Sequence, residues 1–187
     1  MDLVIAKSGS AANPFLNRVH IVQGDIAMQD VDAIAIAVPQ NLDYAGRINL
    51  RVAEAAKYDI DEFILEHVYR PRAGEVYALP GFGLQARHIL LGVMPNYRTE
   101  FDINESHLTS VIRRMMELSR SMLLSSVAFP PLYSGRKRFP KGKAARLMLS
   151  GIADRLDDGF SDVRLVCPDE MTCEIFARKL AIARGEA

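Results

Sequence analysis

Two stretches limit what this chain can fold into: DAIAIAV at 32–38 and RHILLGV at 87–93 carry apolar runs with almost no polar alternation. A strand with one face in water alternates apolar and polar side chains, so such runs belong to strands covered on both faces, with helices above and below the sheet. The other strand candidates are LVIAK (3–7), VHIVQ (19–23), GEVYALP (74–80), SSVAFP (125–130) and DVRLVC (162–167). Between them the spacing predicts helices at 46–56, 60–69, 104–122, 141–156 and 169–183. Asn104 or Asp102 is placed to cap the third of these, and Pro168 followed by Asp169 to start the last. Strands alternating with helices throughout predict an α/β fold, read as one domain over residues 1–187.

The 187 residues can bury roughly 70% of the unfolded chain's surface without a staple. With 23 basic and 23 acidic residues the formal charge is zero, so bulk electrostatics selects no partner. No run approaches membrane-spanning length, and MDLVIAKSGSAANPF has too short an apolar core for a signal peptide, so a cytoplasmic address is the expectation. Cys167 and Cys173, six apart with no histidine near them, fit neither a zinc spacing nor a disulfide framework and are read as buried thiols. His20 and His88 lie in strand patterns, His67 on a helix and His107 near a helix start. No nucleophile and base pair suggests itself, and nothing in the spacing calls for a metal or a cofactor. PGFGLQARH (80–88) opens no helix and reads as a hairpin connection, not a dinucleotide loop.

Positive charge is concentrated at one place. In AFPPLYSGRKRFPKGKAA (128–145), Arg136, Lys137, Arg138, Lys141 and Lys143 follow a buried strand and precede a helix. Loops at the carboxyl ends of strands in such sheets run into helix N-termini, which present unpaired N–H groups and the positive end of the helix dipole. Ser134, Gly135 and Arg136 are therefore candidates for a phosphate-binding loop. The alternative is a turn at Gly135 with a solvated basic face.

Five segments in order resemble the macro domain family of ADP-ribose-binding modules, over about residues 18–180. They are Gly24-Asp25-Ile26, Val31-Asp32-Ala33-Ile34, Ile36-Ala37-Val38-Pro39, Ala45-Gly46-Arg47, and Phe129-Pro130 through Gly135, with HILLGVMPNY (88–97) as a further likeness. The resemblance implies a three-layer α/β/α sandwich around a mixed, mostly parallel sheet. It also implies that ADP-ribose or a related phosphate-bearing adenine nucleotide, free or attached to protein, is the ligand. Asp25 would accept from an adenine amine, with Ile26 beside it supplying a backbone N–H and an apolar edge. Asp25 equally suits the cap of a short turn. Gly46 and Arg47 would border the phosphates and distal ribose, and Leu132, Tyr133, Ser134, Gly135 and Arg136 the second phosphate loop. Arg136 stands where the family has a small or apolar residue, and Tyr133 and Phe139 could stack on a ring.

The departures matter as much. The family's Asn-Ala-Ala-Asn loop becomes Ile36-Ala37-Val38-Pro39, and proline at 39 cannot make the hydrogen bond with which the second asparagine orients the distal ribose. A slip bringing Gln40 or Asn41 into that role is compatible with the spacing to Gly46. A binding module with an altered pocket is the expectation. The alternatives are a hydrolase of ADP-ribosyl linkages and a weak nucleic-acid or polyanion binder working through the basic stripe at 136–143.

Overall fold

Alternation within the buried strands decides which side of the sheet each helix covers. In β2 (Ala33–Pro39) the small Ala33 and Ala35 face one layer and the larger Ile34 and Ile36 the other, all four fully buried. β4 (His88–Met94) repeats this, with Leu90 in the first layer and Ile89 and Leu91 in the second. The first layer is covered by α3 (Glu105–Ser121), α4 (Lys141–Ala153) and α5 (Glu170–Arg184). The second is covered by α1 (Arg47–Ala56) and α2 (Ile60–His67). On β4, a Cβ at Gly92 would lie 2.6 Å from both Met115 Cε and Val111 Cγ1, so α3 packs closer here than a side chain permits.

The computed structural model describes residues 12–96, 104–132 and 139–186. Its other strands are β1 (Val19–Gln23), β3 (Val76–Pro80), β5 (Ser126–Phe129) and β6 (Asp162–Cys167). Among the described residues the sheet has six strands, in the order β1-β6-β5-β2-β4-β3, parallel except for the antiparallel β3–β4 pair. This is the mixed, mostly parallel sandwich expected from the sequence; the strand candidate at 3–7 lies outside the described residues. The 80–88 stretch is a hairpin connection, closed by Gly81 N–H to Arg87 O at 2.8 Å. Asn104, not Asp102, is within the described residues, and its Oδ1 accepts from Ser106 N–H at 3.0 Å to cap α3. α2 stops at His67, earlier than the periodicity predicts: its C-cap Val68 is already extended, at φ −111° and ψ 112°, and Arg70 adopts φ +48° just before Pro71. Among the described residues no helix is long and apolar enough to cross a membrane.

At the amino ends of the strands, Asp32 ties three elements together. It accepts from Arg87 Nη2 at 2.5 Å and from the backbone N–H groups of Ser125 and Ser126 at 2.9 and 3.1 Å. Burial pushes its carboxyl up, but Arg87 and the two N–H groups outweigh this and hold it at about 2. A carboxylate with a lowered folded value stabilises the fold fully above its unfolded value near 4. That contribution disappears as pH falls through about 2. Asp32→Asn is expected to cost about 1–2 kcal/mol at pH 6. In urea melts the gap between the two proteins should close between pH 4 and pH 2; a constant gap across that range would contradict the assignment.

Candidate functional site

The carboxyl ends of β6, β5, β2 and β4 open into a cleft of about 640 Å³. Three helices point their N-termini at it: α1 through Gly46, Arg47, Ile48 and Asn49, α4 through Lys141, and α5 through Asp169 and Thr172. Between them lie Ala37, Val38 and Pro39 from β2, Met94 from β4, and Pro131 and Leu132 after β5.

The three helix ends are finished differently. At α5 the Asp169 carboxylate accepts from Thr172 N–H at 2.8 Å, an ordinary N-cap. Among the described residues neither α1 nor α4 has a side-chain cap, since their N-cap residues are Gly46 and Pro140. The first intrahelical bond of α1 runs from Leu50 N–H to Gly46 O, and the first of α4 run from Lys143 and Ala144 N–H to Pro140 O. The N–H groups before them have no partner within their helix. Acidic residues normally occupy a first helical turn, where they offset the dipole. Neither first turn holds one, and Arg47 opens α1 while Lys141 and Lys143 open α4. Two positive helix ends, each with added cations, thus border one cleft.

Local bonds fix this arrangement. Gly46 adopts φ +96°, ψ 155°, a region open almost only to glycine, although a Cβ there would meet nothing within 4 Å. Conformation, not space, requires glycine here. Asn49 is buried and its Nδ2 donates to Ala37 O at 2.9 Å, while the Tyr44 hydroxyl donates to Asn49 O at 2.8 Å. Burial, then the charge of Asp61, pushes the Tyr44 hydroxyl well above its ordinary value, so it remains a donor. Lys141 Nζ lies 2.9 Å from Thr172 Oγ1, joining α4 to α5.

Gly46, Arg47 and Leu132 line the cleft. Tyr133, Ser134, Gly135 and Arg136, the expected phosphate loop, lie outside the described residues, as do Lys137 and Arg138. Asp25 and Ile26 are at the end of β1, the strand next to β6, beyond the cleft lining. Asp25 does cap a short 3-10 turn, its Oδ1 accepting from Ala27 N–H at 2.9 Å. Its Oδ2 accepts from Arg51 Nε of α1 at 2.6 Å. A carboxylate has about four acceptor positions, so both bonds leave room for another donor. Ile26 is buried in the second core layer.

Pro39 is the last residue of β2, opposite Met94, and its carbonyl accepts from Leu42 N–H at 2.8 Å. Gln40 and Asn41 are not part of the cleft lining; Asn41 Oδ1 accepts from Asp43 N–H at 3.2 Å, and Asn41 N–H donates to Asn96 Oδ1 at 3.1 Å. In the basic stripe, Lys141 is bonded to Thr172 and Lys143 is paired with Glu105. Phe139 is buried in the core beneath, with Lys143 Nζ 6.0 Å above its ring. Cys167 is buried and Cys173 partly so, in keeping with the expected thiols; burial and the neighbouring Cys173 push the Cys167 thiol up to about 12. Among the described residues no group of three or more His, Cys, Asp or Glu side chains could hold a metal ion.

Asp169 and Thr172 were assigned no place at a site by sequence reasoning, and Lys141 only a place in the basic stripe. The signal was present: the rule that ligands sit at strand carboxyl ends applies to β6 as well as β5, and a Pro-Asp pair following a buried strand marks a helix N-terminus there.

The same fold recurs in known proteins. A macro domain-containing protein of Xanthomonas campestris pv. campestris is 30% identical over 171 residues, spanning 88% of this chain and 96% of that one. The Oceanobacillus iheyensis macrodomain solved with ADP superposes with a TM-score of 0.79 at 26% identity, covering 90% and 93% of the two chains. The macro domain of ganglioside induced differentiation associated protein 2 shares the fold with a TM-score of 0.82 at 22% identity, over 98% of this chain and 92% of that one. The Macro domain family model matches residues 37–148, a span that runs from the cleft end of β2 through most of α4. By that match and that fold, the chain belongs to the macro domain family.

Proposed function

We propose that this macro domain binds ADP-ribose or a related phosphate-bearing adenine nucleotide in the cleft, as a binding module with an altered pocket. The observation that carries the reading is the pair of uncapped helix N-termini, α1 and α4, with cations and no acids in their first turns. Left without an anion the arrangement costs stability, and a diphosphate between them turns both dipoles and charges to use. The nucleotide found with the Oceanobacillus iheyensis relative supports the same class of ligand. Asp25, beyond the β6 end, remains the candidate acceptor for an adenine amine, and Ser134, Gly135 and Arg136 remain candidates for a phosphate contact. Binding is favoured over hydrolysis because Pro39 has no side-chain hydrogen-bonding group, Asn41 stands outside the cleft lining with its side-chain oxygen engaged by Asp43 N–H, and Asn49 within the lining is turned to the Ala37 carbonyl.

Calorimetric titration with ADP-ribose, ADP, AMP and ribose 5-phosphate tests this reading. Asp25→Ala is expected to weaken the adenine nucleotides by about 1.5–3 kcal/mol, the worth of a charged hydrogen-bond partner, and to leave ribose 5-phosphate nearly unchanged. An equal loss for all four ligands would remove Asp25 from base recognition, because disturbing its bond to Arg51 would then be the whole effect. Absence of binding by every one of them would remove the nucleotide reading itself.

A further inference from the structure

The three helix ends at the cleft are not equivalent, and strand order says what each suits. Along the carboxyl edge of the sheet β1, β6, β5 and β2 follow one another, three steps of about 4.8 Å each. Asp25 stands at the end of β1. Pro168, Asp169 and Thr172 follow β6, and the open ends of α4 and α1 follow β5 and β2. A nucleotide whose base reaches Asp25 and whose diphosphate meets α1 and α4 therefore carries its base-side ribose past the end of β6.

That end is built differently from its neighbours. The dipole of α5 is already answered by the Asp169 carboxylate, which accepts from Thr172 N–H at 2.8 Å, so a further anion is not drawn to it. Thr172 is buried, and its hydroxyl accepts from Lys141 Nζ at 2.9 Å. The Thr172 N–H, then the Thr172 hydroxyl and the charge of Lys141, hold the Asp169 carboxyl below the usual carboxylate range, so it is ionised at neutral pH. Asp169 is exposed and lines the cleft. A carboxylate has about four acceptor positions, so the bonds to Thr172 leave room for a hydroxyl donor. A sugar hydroxyl can donate to such a group where a phosphate would be repelled by it. Resting on the nucleotide reading above, we infer that Asp169 accepts from the vicinal hydroxyls of the base-side ribose, and that the cleft thereby selects ribonucleoside diphosphates over their deoxy counterparts. Asp169 is the specificity-determining residue.

Calorimetric titration of the purified protein with ADP, 2′-deoxy-ADP and 3′-deoxy-ADP reads this out. ADP is expected to bind at least about tenfold tighter than one or both deoxy analogues, the effect of losing a hydrogen bond to a charged group. Asp169→Ser keeps a residue that caps α5 but offers no second oxygen, and is expected to bring the ratio to within about twofold. An Asp169 that serves only as a cap would leave the ratio as in wild type. Equal binding of all three nucleotides by wild type, or a preference for ADP that survives Asp169→Ser, would overturn the inference and leave the nucleotide reading standing. Failure of these nucleotides and of ADP-ribose to bind would overturn both. Should Asp169→Ser not fold, Asp169→Asn, which also caps and lacks the charge, is expected to shrink the ratio in the same direction, and an unchanged ratio there would be equally decisive against the inference.

Discussion

Gly151→Val is expected to destabilise the protein by about 3 kcal/mol, lowering Tm by about 6–12 °C for a domain of this length. Gly151 lies inside α4 where the helix crosses α3, and a Cβ there would stand 2.8 Å from Thr109 O and 2.9 Å from Ile112 Cβ. One of those neighbours is backbone, so relief requires the two helices to move apart. A glycine inside a helix ordinarily costs about 1 kcal/mol relative to alanine, so the gain in helix propensity works against the expected loss and is outweighed by the collision. Gly142 on the same helix supplies the control. Its nearest neighbours would be Lys179 Cε at 3.4 Å and Ile175 Cγ2 at 3.8 Å, and Gly142→Ala should leave Tm unchanged or slightly raised. Equal melting temperatures for wild type and Gly151→Val would show that the α3–α4 crossing is not the tight contact described.

Arg47→Glu is expected to move stability and binding in opposite directions. Arg47 is exposed at the first position of α1, where a carboxylate complements the helix dipole and a cation opposes it. The substitution should therefore raise the unfolding free energy by about 0.3–1 kcal/mol. The same carboxylate at the mouth of the cleft would repel the diphosphate and remove a cation, weakening ADP by about 2–3 kcal/mol, or roughly 30- to 150-fold. Denaturant melts and calorimetry on one preparation give both numbers. A stabilised variant that binds ADP as well as wild type would show that the α1 end is not a phosphate site.

Most of the architecture was legible in the sequence because strands buried on both faces leave an unmistakable apolar run. β1 and β6 were bounded as the structure has them, and α1, α3 and α5 to within a residue or two. The layer each helix joins was less visible, since it depends on the alternation of Ala33 and Ala35 with Ile34 and Ile36 in a run that is apolar throughout. The site was legible where it is local. Gly46 stands at a turn into a helix, and Leu132 follows a buried strand. It was illegible where it depends on pairings across the fold. Asp25 meets Arg51 only because α1 packs on the 3-10 turn, and Lys141 meets Thr172 only because α4 and α5 are neighbours. No spacing rule reaches over the 26 residues that separate Asp25 from Arg51.

The bonds from Tyr44 to Asn49 and from Asn49 to Ala37 bear on how fast a ligand is captured. They join the first turn of α1 to the end of β2, so the backbone of this wall is already immobile when the chain has folded. The entropic penalty that loops incur when they order around a ligand is therefore absent on this side, and encounter need not wait for a conformational step. Variation in affinity among ligands of this wall should accordingly appear in how long they stay, not in how quickly they arrive.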